Sequence, residues 1–219
     1  MKRTIRFSVP LVLSLILTQT AFAFDDGDLQ NWSSIAIEGK LNKEWTVLLD
    51  EELRFGDDVS DLFYQRTDLG ITYQMLPWLK LGLNYWHQYS EKNGNWKLEQ
   101  KPHFNATIKF KIGSFTLQDR SRLERRIFED ADNQWRYRNK LSLTPPVKFT
   151  KFSIQPYVAD EIFINFEDDA YRRNRIYLGC KSKLAKRLAL DIYYLLQSDK
   201  AEPDWKKTHV IGSKLKISF

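Results

Sequence analysis

The sequence predicts an all-β chain closed into a single antiparallel transmembrane β-barrel of ten to twelve strands. Three observations carry that expectation. The chain opens like an exported protein, alternates apolar and polar residues along the rest of its length, and closes on an amphipathic segment ending at Phe219.

The opening segment comes first. Lys2, Arg3 and Arg6 form a basic start, and Val9 to Leu17 is apolar except for Pro10 and Ser14. Ala21, Phe22 and Ala23 then give a small-x-small site for a peptidase. This is the order of a cleaved signal peptide over 1–23; a membrane anchor needs roughly 20 apolar residues. No cysteine stands directly after the cut, where Phe24 is, so a lipid-anchored form is not expected. The barrel should occupy 24–219 as one domain.

Loss of the peptide changes the charge. The whole chain has 34 Lys and Arg against 28 Asp and Glu, and removing Lys2, Arg3 and Arg6 leaves 31. So small an excess gives no reason to expect a nucleic-acid partner, which needs a clustered basic face. The single Cys180 excludes an intramolecular disulfide, and no His or Cys spacing resembles a zinc site. No metal or cofactor is expected.

Aromatic residues make up 14% of the chain and charged residues 28%. A barrel in lipid accommodates both, with an apolar outer face and a polar interior. No apolar run beyond residue 23 exceeds Ile192–Leu196, so any crossing of a membrane must use strands.

A period of two, the mark of a strand with two unlike faces, recurs along the chain. Trp45, Val47, Leu49, Leu53 and Phe55 alternate with Thr46, Asp50, Glu52 and Arg54. Leu69, Ile71, Tyr73 and Met75 oppose Arg66, Asp68, Gly70 and Thr72; Leu79, Leu81, Leu83 and Tyr85 oppose Lys80, Gly82, Asn84 and Gln88. Phe104, Ala106, Ile108 and Phe110 oppose His103, Asn105, Thr107 and Lys109. Segments 114–127, 135–144, 152–165, 173–182, 188–197 and 208–219 follow the same rule less cleanly. A weaker segment, Trp32–Glu38, makes an eleventh. Because single-chain bacterial barrels have even strand numbers, ten or twelve is the expectation.

The connections are expected to alternate between short periplasmic turns (Gly39–Glu44, Leu76–Trp78, Ile112–Ser114, Pro145–Thr150, Lys183–Arg187) and longer polar external loops (Gly56–Leu62, Glu91–Trp96, Phe128–Gln134, Glu167–Tyr171, Ser198–Lys207). Trp32, Trp45, Trp78, Trp96, Trp135, Trp205 and Tyr85 flank strand ends, as interfacial girdles do. His87 falls in an aromatic cluster near a strand end and is assigned to the same belt. Ile211, Leu215 and Ile217 share a register with Phe219, and a terminal aromatic on such a strand resembles the signal read by the bacterial barrel-assembly machinery, an expected partner along with outer-membrane lipid. A soluble periplasmic β-sandwich or lipocalin-like protein is the alternative.

The interior is expected to be rich in arginine. Arg120, Arg122, Glu124 and Arg126 share a face, and so do Arg136, Arg138 and Lys140. Placed outward at mid-bilayer, each arginine would cost about 2–4 kcal/mol, so both faces should point inward. By the same parity Glu52, Arg54, Glu161, Arg173 and Arg175 join them, and Asp119, Ser121 and Arg125 interrupt the apolar face opposite Arg122. Guanidinium forks facing carboxylates could bridge a narrow barrel. Either the network fills and seals the barrel, or its cationic excess selects anions in a narrow pore.

An enzyme is not expected, although a lipid- or surface-modifying enzyme is kept as an alternative. His209 and Ser213 share a face, but two pleats separate their backbones by roughly 13 Å, at about 3.3 Å per residue, whereas a nucleophile and its base need roughly 2.6–3.2 Å. His103 faces inward as polar filling. Glu52, Glu124 and Glu161 have arginine neighbours that favour salt bridges over acid–base work. Cys180 shares the lipid-side set with Ile176 and Leu178.

The stretch DRSRLERR from Asp119 to Arg126, followed by WRYR from Trp135 to Arg138, resembles the core pattern of the DUF2490 family. Trp32, ELRF at Glu52–Phe55, DLGITY at Asp68–Tyr73, DEIF at Asp160–Phe163 and RNR at Arg173–Arg175 agree in order and spacing. The resemblance covers nearly the whole mature chain. It implies an outer-membrane protein of unknown function and supplies no substrate or reaction.

Overall fold

A computed structural model describes residues 26–92, 94–167, 170–201 and 204–219. The expected signal peptide over 1–23 lies outside the described residues. The strands are β1 (Asp28–Lys40), β2 (Trp45–Gly56), β3 (Asp61–Leu76), β4 (Leu79–Lys92), β5 (Asn95–Ile112), β6 (Phe115–Phe128), β7 (Gln134–Thr144), β8 (Gln155–Asn165), β9 (Ala170–Ala185), β10 (Leu188–Ala201) and β11 (Asp204–Ser218). Each pairs antiparallel with its sequence neighbour, and β1 pairs in parallel with β11 to close a barrel. No helix occurs among the described residues.

Eleven strands correct the even-number expectation. An even count follows from placing both chain ends at one mouth. Here the weak segment at Trp32–Glu38 is a full strand, and β1 starts at the mouth opposite the one where β11 ends. One parallel pair is then unavoidable, and it runs in register from Asp28↔Thr208 to Glu38↔Ser218.

The expected longer external loops are also corrected. At the mouth opposite Phe219 the connections span only 4, 2, 5, 4 and 2 residues, and the longest connection, 145–154, lies at the C-terminal mouth. Polar residues assigned to loops instead prolong the strands: Ser198 pairs with Lys207, Asp199 with Lys206, and Glu91 with Trp96. Chain assigned to a strand from residue 152 belongs partly to the 145–154 connection, where Phe149 and Ile154 form an isolated bridge.

Side chains alternate as the period of two requires. Leu49, Leu69, Leu83, Phe104, Val158, Ile176 and Ile211 are exposed on the outer wall, and so is Cys180. Inward positions are buried by their neighbours. Trp45, Trp78, Trp96, Trp135, Trp205 and Tyr85 are outward and exposed. Trp32 is not: it is 3% exposed and sits inside, because it shares its parity with the buried Gln30 and Ala36. Trp86 is likewise buried inside, between its inward neighbours Asn84 and Gln88.

The strands are tilted. The line of paired residues Leu29, His209, Leu196, Ile176, Asp160, Leu141, Asp119, Ile108, Leu79 starts near the first residue of β1 and ends at the first residue of β4, at the opposite mouth. Such tilt is what closure of a sheet into a barrel demands. Inside, two glycines receive a neighbouring ring. Gly179 pairs with Tyr157 and Gly212 with Tyr193, and a Cβ on either glycine would overlap the tyrosine.

Candidate functional site

The interior has two unlike walls. On β8–β11 and β1, the side chains Trp32, Tyr157, Ala159, Tyr177, Leu195 and Val210 form an apolar cluster against which Tyr193 packs. Charge lines the remaining interior and also reaches β8, β9 and β10 through Glu161, Arg173, Arg175 and Asp199. Glu124 on β6 is fully buried and accepts from Arg136 Nε at 2.8 Å and Nη2 at 2.5 Å, both on β7. Its other oxygen accepts from Arg138 Nη1 at 2.8 Å and, more distantly, from Arg122 Nη1 at 3.4 Å. Arg138 is the link onward, because its Nη2 donates to Glu161 Oε1 on β8 at 2.8 Å. Glu161 also accepts from Arg120 Nη2 and from the Tyr177 hydroxyl, each at 2.9 Å, with Arg175 Nη1 at 3.9 Å. Seven of the expected residues, Arg120, Arg122, Glu124, Arg136, Arg138, Glu161 and Arg175, are thus one connected cluster.

The other four are placed elsewhere. Glu52 and Arg54 pair with each other, Arg54 Nε donating at 2.7 Å, and Arg66 reaches Glu52 at 3.4 Å and also pairs with Asp50. Arg126 donates to Glu99 at 2.6 Å rather than to Glu124, and Lys101 Nζ lies 3.1 Å from the other oxygen of Glu99. Arg173 pairs with Asp199 on β10. Asp50, Arg66, Glu99, Lys101 and Asp199 are therefore site residues absent from the expected set. The parity of β2 and β3 had already put Asp50 and Arg66 on the polar face. Glu99 and Lys101 lie in the part of β5 that precedes the clean alternation at His103.

Aromatic rings hold the guanidinium groups over their faces. Arg54 lies 3.6 Å above Trp32 and 3.9 Å from Tyr64; Arg175 lies 4.8 Å from both Trp32 and Phe163. Trp86 lies under Arg66 at 4.4 Å and Arg122 at 4.8 Å. Arg138 is 4.4 Å from the Phe163 ring. Each such contact contributes about 0.5–2 kcal/mol, the upper end where water is excluded. His103 is buried beside Trp86, edge to face at 5.0 Å, and its Nδ1 lies 3.1 Å from the Lys101 carbonyl.

The direction of the ion pairs matters most. They link neighbouring or next-but-one strands: β6 to β7, β7 to β8, β8 to β9, β2 to β3. The network therefore lies along the wall, in contrast to the expected bridging of the bore. A central chamber of about 530 Å³ remains, and fourteen basic side chains line it against six acidic ones. Toward the mouth opposite Phe219, Arg126, Arg136, Arg172, Arg173 and Lys200 line a second space with Asp199.

No curated protein matches the chain in sequence. A family model described as a protein of unknown function, DUF2490, matches residues 29–208, from the start of β1 into β11. The match takes in the arginine-bearing strands β6, β7 and β9 whole, and on its strength the chain belongs to the DUF2490 family.

Proposed function

We propose that this chain is an outer-membrane barrel whose interior is a narrow, anion-preferring pore. The observation that carries the reading is the chamber of about 530 Å³, walled rather than bridged by its ion pairs, with fourteen basic residues against six acidic. A plug needs no such excess, because its cations would be matched by carboxylates to offset desolvation. Glu124 and Asp199 pair with arginines of this lining from outside it, and the excess that remains, fourteen basic groups to eight acidic, attracts anions and repels cations in a confined bore.

The membrane half of the proposal is supported by the outer wall. Leucine, isoleucine, valine and phenylalanine face outward on strand after strand, with tryptophans near the strand ends. A soluble barrel would leave this surface as an apolar patch far larger than the few hundred Å² that monomers tolerate. The strands run from 11 to 18 residues, and a tilted crossing needs about 9–11.

The test is planar-bilayer recording of the refolded chain over 24–219. Steady conductance, altered in an Arg138→Ala variant, supports the pore. Silence from protein shown to be folded and lipid-inserted removes it and favours a sealed structural barrel.

A further inference from the structure

Of the fourteen basic residues that line the chamber, three form no ion pair among the described residues: Lys92, Lys140 and Lys181. Lys92 is the last residue of β4, at the mouth opposite Phe219. Lys140 and Lys181 lie instead in the halves of β7 and β9 nearer the C-terminal mouth, and Arg120 lies in the same half of β6. Arg120 keeps 29% of its side chain exposed to the chamber, whereas Arg122, Arg138 and Arg175, at 6–7%, are sunk into the wall. The register explains why Lys140 is left over. Arg120 and Lys140 stand directly opposite each other, a like-charged pair that repels, and Glu161 is the carboxylate opposite Lys140. One oxygen of Glu161 already accepts from Arg120 and Arg138, and the other from the Tyr177 hydroxyl.

Lys140 therefore reaches past β8, where Ala159 leaves room, and its Nζ ends 3.3 Å from the centre of the Tyr177 ring on β9. Lys181 Nζ ends 4.7 Å from the ring of Tyr157, whose hydroxyl donates to Asp191 Oδ1 at 3.0 Å. A ring face offsets the charge of an ammonium group but leaves its three N–H donors without an oxygen. One inward step nearer the mouth, Gln118 and Ser142 face each other, and neither side chain has a hydrogen bond among the described residues. Asp191 also attracts Lys140 and Lys181, so the niche sets three cations against that carboxylate and the shared Glu161. Its donors come singly from β6, β7 and β9. A planar carboxylate is matched by the parallel fork of one arginine, whereas ammonium groups act as point charges and suit the several oxygens of a phosphate-type dianion.

We infer that Arg120, Lys140 and Lys181, with Gln118 and Ser142 beside them, form a discrete binding site for a small tetrahedral oxyanion of the phosphate class. The inference deepens the proposed anion-preferring lumen and rests on it. Equilibrium dialysis of radiolabelled inorganic phosphate against the refolded chain in detergent reads binding without requiring conduction. Saturable binding at one site per barrel is expected, displaced by sulfate and not by acetate at the same concentration. Lys140→Met and Lys181→Met should each weaken it by about tenfold or more, the worth of one hydrogen bond between charged groups. Lys92→Met, at the other end of the chamber, should leave it unchanged. Lys181 is exposed, so its variant carries the test if Lys140→Met does not fold. Non-saturable uptake, equal displacement by acetate, or an affinity that Lys181→Met leaves unmoved or that Lys92→Met lowers as much overturns the site. Saturable binding by a barrel that conducts nothing in a planar bilayer keeps the site and removes the pore. An anion-selective barrel that binds no phosphate keeps the pore and overturns the site.

Discussion

Glu124→Gln is the substitution that most sharply probes the interior. The carboxylate is 0% exposed and receives four contacts from Arg122, Arg136 and Arg138. Glutamine keeps the shape but turns an amide N–H₂ toward guanidinium donors, leaving three cations without their shared anion. Each hydrogen bond to a charged group is worth about 1.5–3 kcal/mol, and they do not add. Removing one partner of a buried ionic cluster costs about 3–5 kcal/mol. Since a chamber adjoins the cluster and solvent screening softens the penalty, the expected loss is about 3 kcal/mol. Equilibrium urea unfolding in vesicles, followed by the heat-modifiable gel mobility of folded barrels, measures it. Lys97→Gln is the control: its partner Asp130 is as exposed as it is, and no measurable change is expected. A Glu124→Gln loss inside the roughly 0.5 kcal/mol range of surface substitutions would refute the claim that this cluster is desolvated.

Three further outcomes follow from the same geometry. Gly212→Ala drives a methyl into the Tyr193 ring and should cost about 1–3 kcal/mol of unfolding free energy as overpacking, whereas Gly39→Ala, whose Cβ would meet Val47 at 3.4 Å, should be tolerated. Trp32→Leu removes the rings under Arg54 and Arg175 and should cost about 1–4 kcal/mol for the two contacts together by urea unfolding, from about 0.5–2 each. Leu69→Arg puts a cation on the outer wall near mid-height and should lower stability in vesicles by about 2–4 kcal/mol; an unchanged midpoint would contradict a lipid-facing wall.

Much of the wall was legible from parity alone. The placement of Arg136 and Arg138 inside and of Trp135 and Leu141 outside needs only the period of two, and β7 follows it along its length. Strand count was not so legible. In β1 the outward positions Asn31 and Ser33 are polar and bond each other at 2.8 Å, which blurs the alternation and hides a full strand. Parallel closure is a property of the whole sheet and leaves no mark on one segment. The pairings eluded sequence reading for a related reason. Arg138 meets Glu161 although Lys140 stands directly opposite it, and Arg126 meets Glu99 although Phe128 does. Such diagonal partners depend on register and tilt. Trp32 departs from the expected girdle because its parity with Gln30 and Ala36, and not its nearness to a strand end, decides which side of the wall it faces.

The reversal potential of the refolded chain in a planar bilayer under a potassium chloride gradient tests the central claim most directly. Fourteen basic against six acidic side chains around the chamber predict a sign set by chloride, shifting toward zero when Arg138 and Arg175 are replaced by methionine. A sign set by potassium, or no conductance from barrels shown to be inserted, would contradict an anion-preferring lumen.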